Sequence, residues 1–343
     1  SSAVKVMRFA SSITTKKDPS AAIQELLAPL DARVTPGEVD LALLFITDHY
    51  DDGLDLILDR LAQVVPHALL LGCTAEGTIG VDKELERTAS MSLLVASLPD
   101  VDIRPFHLQQ SQLEAAKSAA DWERIVGVSP ESKPTFICLA DPFSIAVYDF
   151  LDQMNAHYPQ CPVVGGIASA GRAPRQNRLI LGGAVQQEGM VGAALSGNLR
   201  VETVVSQGCR PIGKSFIVTK AEGNIIQELG RKPALEQLHS VLTKLAEPEE
   251  QLARESMFLG RVIDEYKGRF GRGDFLIHNI LGADRKSGAI GIAGQVKVGT
   301  TVQFHVRDAQ SADEDLRAML SAHAATEPEG ALLFGCNGRG THM

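Results

Sequence analysis

The chain repeats itself, and that repeat restricts it to folds built from duplicated units. Asp48 closes the apolar run LALLFITD and lies 24 residues before Gly72, while Asp141 closes TFICLAD and lies 24 residues before Gly165. The two copies are offset by 93 residues. Each glycine follows a second apolar run and opens a loop of small residues, GCTAEG at 72–77 and GGIASAG at 165–171. A third run, ALLFGCNGRG at 331–340, begins in the same way. The pattern predicts strand–helix–strand–loop units, and equivalent loops of such units can converge on one pocket.

A chain of 343 residues has room for two such modules with cores of their own. A formal charge of −9, with no clustered basic stretch, excludes a nucleic-acid surface. No apolar run approaches the roughly 18–20 residues of a membrane helix. The start, SSAVKVMRF, has neither a secretory h-region nor an initiator Met, and reads as a processed or artificially set end. Five cysteines without a C-x-x-C pair argue against a disulfide framework or a structural zinc, so a reducing cytoplasm is expected.

Asp18 and Pro19 signal a helix start, with the helix reaching about Leu30. Val39–Thr47 and Ala68–Gly72 read as buried strands around a helix whose stripe is Leu54, Ile57, Leu58, Leu61 and Val65. Met91–Leu98 and Val101–His107 are expected to follow as strands, then a polar helix near Ser111–Val126. The second copy gives a strand at Thr135–Leu139, a helix at Ser144–Tyr158 and a strand at Cys161–Gly165. Met190–Leu195 and Val201–Gln207 are expected to match the last two strands of the first copy.

Past residue 208 the texture changes to strands at Ser215–Ala221, Ile225–Leu229, Phe258–Asp264 and Asp274–Asn279. Helices are expected from Pro233, near Pro248–Met257 and near Ala309–Ala325. The turn GADRKSG at 282–288 begins a hairpin-like region, and a third apolar strand starts at Ala331. The expected class is mixed α/β: a repeated N-terminal module over 1–205, then a smaller α+β module over 206–343.

Gly208 to Ser215 satisfies the phosphate-loop pattern G-x-x-x-x-G-K-S. A true phosphate loop needs a helix after it, whereas Phe-Ile-Val-Thr follows and reads as a strand. The carboxylate that would hold Mg²⁺ should come later in the chain, yet both Asp-ended strands come earlier. The match is treated as accidental.

Read as SQGCRPIGKSFIVTKAEGN (206–224), the same stretch strongly resembles the junction of FIST proteins. GCTAEGTIG (72–80), PVVGGIASAG (162–171), KPAL (232–235), FLIHNILGAD (275–284), VQFHVRDA (302–309) and LLFGCNGRG (332–340) match that family in the expected order. The resemblance implies an N-terminal α/β module joined to a C-terminal one, and sensing of a small ligand such as an amino acid or a derivative. It also implies links to bacterial signalling and F-box adaptors, and in some bacterial members haem binding and a response to nitric oxide. His278 stands where many relatives have Arg, and Thr78 replaces an acidic residue. The family continues with another glycine loop, which both the resemblance and the repeat place past residue 343; the site is expected to be C-terminally truncated.

The candidate ligand residues are Gly72, Cys73, Thr74, Glu76, Gly77, Gly165, Gly166 and Ser169 from the repeats. Gln207, Cys209, Arg210, Asn279, Cys336, Asn337 and Arg339 complete the set. Glycine loops bring N–H groups to an anion, though tight turns need glycine too. Asp48 and Asp141 would suit an ammonium, but the preferred reading is a helix cap. Arg210 and Arg339 would clamp the anionic part of the ligand, and Glu76 or Asp48 its amine.

Cys73, Cys209 and Cys336 follow glycines, and Cys336 beside Arg339 is the preferred reactive thiol if one exists. The leading reading is a non-enzymatic sensory protein holding a small polar ligand between the glycine loops of the two modules. No cofactor, metal, nucleic acid or membrane is expected; a separate signalling output protein is, and a homo-oligomer is compatible. The alternatives are a haem-binding nitric-oxide sensor, with His49 or His278 as axial ligand, and a cysteine-dependent enzyme.

Overall fold

Continuous apolar strands need cover on both faces, and the first half of the chain supplies it by stacking two sheets between helices. The structure, a computed structural model, describes residues 6–271, 273–323 and 327–339. Its mixed α/β chain forms two compact units, divided between Thr203 and Val204, with the segment from Pro328 belonging to the first.

The first unit begins with β1 (Arg8–Thr14), α1 (Pro19–Leu27), β2 (Leu41–Ile46), α2 (Leu54–Val64) and β3 (Leu69–Thr74). The hairpin β4 (Gly77–Gly80) and β5 (Lys83–Glu86) follows, then β6 (Met91–Ser97). The chain then runs through β7 (Val101–Leu108), α3 (Gln110–Ala115), α4 (Ala119–Val126), β8 (Thr135–Ala140), α5 (Val147–His157) and β9 (Val163–Ile167). A second hairpin, β10 (Leu179–Leu181) and β11 (Ala184–Gln186), precedes β12 (Met190–Gly197).

The sheets have strand orders β1-β6-β2-β3-β10-β11 and β7-β12-β8-β9. Their first four places are equivalent, with β2 parallel to β3 and β8 parallel to β9. The hairpin β10–β11 of the second copy leaves its own sheet and pairs antiparallel with β3 of the first.

This topology corrects the sequence reading. Val101–Leu108 is the opening strand of the second copy, equivalent to Arg8–Thr14, and does not close the first. Its expected counterpart, Val201–Gln207, forms no strand, and Val205 is 71% exposed. Alternating β-branched residues favour a strand only where another strand pairs with them. The run from Ala331 likewise forms no strand; Leu332 and Phe334 pack on the inter-sheet core while Leu333 faces outward.

Alternate residues of one strand serve two cores. In β2, Ala42, Leu44 and Ile46 face α1 and α2, where Ile57, Leu58 and Leu61 form the buried stripe. Leu41 and Leu43 face the other way, meeting Ile137, Leu139, Val191 and Ala193 between the sheets. On the far side, Phe136 and Cys138 of β8 pack with Trp122, Phe150 and Tyr158 of the α4–α5 layer. Asp18 caps α1, accepting from the Ala21 N–H at 2.8 Å with Pro19 at the first position.

The repeated glycines sit inside strands. Gly72 lies opposite Leu44, and Gly165 (φ +148°) opposite Cys138, in equivalent registers of the two parallel pairs. A Cβ on either would run into the carbonyl oxygen of the residue opposite. The 24-residue spacing therefore records close strand approach.

The second unit contains β13 (Cys209–Pro211), β14 (Phe216–Glu222), β15 (Ile225–Leu229), β16 (Lys232–Pro233), α6 (Ala234–Leu242) and α7 (Glu247–Glu255). It continues with β17 (Met257–Val262), β18 (Phe275–Asp284), β19 (Ala289–Ile292), β20 (Thr301–Arg307) and α8 (Ala309–Ser321). Strands β20, β14, β15, β19, β18 and β17 pair in turn, and β17 pairs back to β20, closing a ring around Phe216, Leu259, Ile290 and Phe304. The residues after Gly208-Cys-Arg-Pro-Ile-Gly-Lys-Ser enter β14, so the helix that must follow a phosphate loop is replaced by a strand.

Gly72→Ala and Gly165→Ala should each lower unfolding free energy by about 1–3 kcal/mol or more, the cost of overpacking against backbone. Gly37→Ala, whose Cβ would meet nothing, should stay within about 0.5 kcal/mol. Urea titration measures both.

Candidate functional site

A buried polar node joins the two repeats and sets the loops above them. Asp141, at the end of β8, is wholly buried, as is Asn177 just before β10. Asn177 Nδ2 donates to Asp141 Oδ1 at 2.9 Å, and Asn177 Oδ1 accepts from the Gly171 N–H at 2.8 Å. Ser144 Oγ donates to Asp141 Oδ2 at 2.6 Å and the Phe143 N–H at 3.3 Å. Asp141 therefore anchors a turn and the opposite loop, and is not the cap of α5, which starts after Ala146 without a side-chain cap. Asp48 is no cap either; it is exposed, 3.6 Å from His49, in a short 3-10 helix entered from Thr47.

From this node the loops are tied together in sequence. Thr74, buried at the end of β3, accepts from the Arg178 N–H at its Oγ1 and from the Ser169 N–H at its carbonyl. Ser169 Oγ in turn accepts from the Glu76 N–H at 3.0 Å. The first and second small-residue loops are thus bonded to each other, 93 residues apart.

Above them lies a cleft of about 560 Å³, within the range of small-molecule sites. Cys73, Glu76, Gly77, Gly166, Ser169, Cys336 and Asn337 all line it, so the first, second and third copies of the motif meet there. Asn337 Nδ2 donates to Glu76 Oε2 at 2.7 Å, and Arg172 pairs with Glu76 Oε1 at 2.9 Å. One wall is apolar, made by Phe45, Leu139, Ile167 and Phe334, with the Phe45 and Phe334 rings edge to face at 5.9 Å. Glu84, Glu86 and Arg87 of the β4–β5 hairpin form the rim. Thr78 lies beneath, donating to Ser90 Oγ.

The other expected residues have different placements. Gly72 and Gly165 are inside strands, and Thr74 is below the cleft. Arg339 is half-buried, its N–H donating to the Cys336 carbonyl, and it is not among the lining residues. Gln207, Cys209, Arg210 and Asn279 belong to the second unit. There Arg210 is held by Glu249 at 2.5 Å and by Asp308, the cap of α8, at 3.2 Å. Gln207 braces β18 through the Phe275 carbonyl and the Ile277 N–H, and Asn279 pairs with Phe258 within the ring of strands.

Among the cysteines, burial pushes the Cys73 thiol up to about 12 and raises Cys138 further, which removes thiolate character from both. Cys336 is exposed, with the Gly338 N–H donating to its Sγ. His278 is buried inside β18 with Nδ1 at 2.7 Å from the Ala293 carbonyl, and burial lowers its pKa. So enclosed a ring offers no face to a porphyrin. Among the described residues, no cluster of three or more His, Cys, Asp or Glu could hold a metal ion, and no helix is long and apolar enough to cross a membrane.

A FIST N domain matches residues 40–232 and a FIST C domain residues 234–343. The chain belongs to the FIST family. FIST domains indicate a sensory or signal-transduction role with a small ligand. The chain is 38% identical over 341 residues to the uncharacterized protein Rv0628c of Mycobacterium tuberculosis, covering 98% of this chain and 87% of that protein. It is 33% identical over 340 residues to the uncharacterized protein Mb0898c of Mycobacterium bovis, at 98% and 86% coverage. A solved structure of cyanuric acid hydrolase from A. caulinodans aligns with 88% of this FIST chain and all of that chain, at 10% identity and a TM-score of 0.30.

Sequence reasoning missed Asn177, Arg172 and the rim hairpin. Asn177→Ala should leave the Asp141 carboxylate buried without its amide donor and destabilise the first unit by about 1–3 kcal/mol. Asp141→Asn, which keeps size and one acceptor, should cost less. Thermal unfolding of the two variants checks the order.

Proposed function

We propose that this FIST protein senses a small molecule with an ammonium group and an apolar body, most simply an apolar amino acid, in the cleft of the first unit. The observation that carries this reading is the Glu76 carboxylate, held by Arg172 and Asn337, with its backbone N–H on Ser169 Oγ, at the mouth of a cleft whose other wall is aromatic and aliphatic. The ligand ammonium replaces part of the hydrogen bonding now given to Glu76. Arg172, 74% exposed at its side chain, is free to swing from Glu76 to a ligand carboxylate in a bidentate pair. Phe45, Leu139, Ile167 and Phe334 take the apolar side chain. Arg210, already neutralised by Glu249 and Asp308, has no part in this reading, which differs there from the one drawn on sequence.

Binding would pull the segment carrying Phe334 and Asn337 against the two glycine-rich loops. That movement is the natural signal to an output protein, because this segment spans the cleft without being locked into a sheet.

Thermal-shift titration with free leucine, phenylalanine and their des-amino acids tests the proposal. The amino acids should stabilise the protein and the des-amino acids should not. Glu76→Gln should weaken binding about 10–100-fold, as expected for a charged hydrogen bond of about 1.5–3 kcal/mol. Equal stabilisation by the des-amino acids, or no effect of Glu76→Gln, would overturn it.

A further inference from the structure

The rim hairpin closes on a residue that its backbone does not favour. β4 and β5 pair from Gly77 with Glu86 to Gly80 with Lys83. Glu76 and Arg87 flank the first of these pairs at the open end of the hairpin, and both line the cleft. Residues facing each other across an antiparallel pair stand about 5 Å apart between Cα atoms. Arg87 adopts φ +53°, in the left-handed region that glycine enters freely and a residue with a Cβ enters at a cost. The chain thus carries a long cationic side chain at a position whose backbone suits glycine. Arg87 is exposed, and among the described residues no hydrogen bond or ion pair engages its guanidinium.

The carboxylates of the cleft are otherwise engaged or too far away. Glu76 is held by Arg172 and Asn337, and Glu86 has a partner of its own. Glu84 lies opposite Ile79, three residues nearer the hairpin tip than Arg87 and so about 10 Å from it along a strand. An α-amino acid carries its ammonium and its carboxylate on the same carbon, so the groups that receive them must stand side by side. Glu76 and Arg87 do. We propose that Arg87 is the standing carboxylate clamp of the cleft, which makes the site selective for free α-amino acids over the corresponding amines. Arg172 is not among the lining residues and reaches a ligand carboxylate only by releasing Glu76, whereas Arg87 is placed at the cleft before the ligand arrives. Its planar fork matches both carboxylate oxygens. This inference rests on the reading of Glu76 as the ammonium site and names the residue that reads the other end of the ligand.

The test is calorimetric titration of the full chain with phenylalanine and with phenethylamine, which keeps the ammonium and the ring but lacks the carboxylate. The parent protein should bind phenylalanine at least about tenfold more tightly than phenethylamine, as a charge-assisted pair requires. Arg87→Gly removes the guanidinium and suits the backbone, so it should unfold at no lower temperature than the parent. It should bind phenylalanine about tenfold more weakly and phenethylamine within about threefold of the parent. Arg87→Lys, which keeps the charge without the fork, should fall between the two for phenylalanine. Equal binding of the two probes by the parent, or phenylalanine binding by Arg87→Gly as tight as the parent's, would overturn this inference and leave the Glu76 reading standing. Equal loss of both probes in Arg87→Gly would also overturn it, because Arg87 would then shape the hairpin without reading the carboxylate. Binding of neither probe by the parent would overturn both readings.

Discussion

The hydrogen bond from Asn177 to Asp141 is the contact on which the first unit's upper surface depends. Both groups are wholly buried, so neither can turn to water, and each must be satisfied where it stands. Meeting that demand fixes the turn after β8, the loop at Gly171 and the approach to β10 together. Thr74 and Ser169 then carry the constraint to the backbone of Glu76. The backbone of the cleft loops is thus held by main-chain and short side-chain bonds, and the Arg172 ion pair reaches only the Glu76 carboxylate. That is the kind of support a preorganised ligand site needs.

Duplication explains why the cleft has three contributors. Each copy delivers a strand end and a loop to the same end of the stacked sheets, and the run from Ala331 brings a third apolar pair, Leu332 and Phe334, to the same core. The copies have diverged where they meet. One hairpin, β10–β11, completes the neighbouring sheet, whereas the other, β4–β5, stands as a separate two-stranded sheet and becomes the acidic rim.

The buried parallel strands were legible because burial on both faces leaves an unbroken apolar run, and α2 because its stripe keeps a helical period. Both hairpins were missed, although Leu-Ile-Leu-Gly-Gly-Ala-Val-Gln places Gly182 at φ +61° between the apolar Leu-Ile-Leu and Ala-Val, a recognisable turn signal. The strand expected at Val201–Gln207 failed because propensity says nothing about a pairing partner. The glycine spacing was visible, but its cause, a carbonyl under the missing Cβ, exists only once the strands are paired. Arg210 looked like a free fork in a glycine-flanked loop. Its partners come from positions 39 and 98 residues further on, beyond the reach of any local pattern.

Where the ligand sits is the point on which these relationships converge, and backbone amide chemical-shift mapping during titration with phenylalanine measures it directly. The expected result is a saturable cluster of shifts at Glu76, Gly77, Gly166, Ser169 and Asn337, with Arg210 and Asn279 unmoved. Saturable shifts centred on Gln207, Arg210 and Asn279, with Glu76 and Ser169 unmoved, would contradict it.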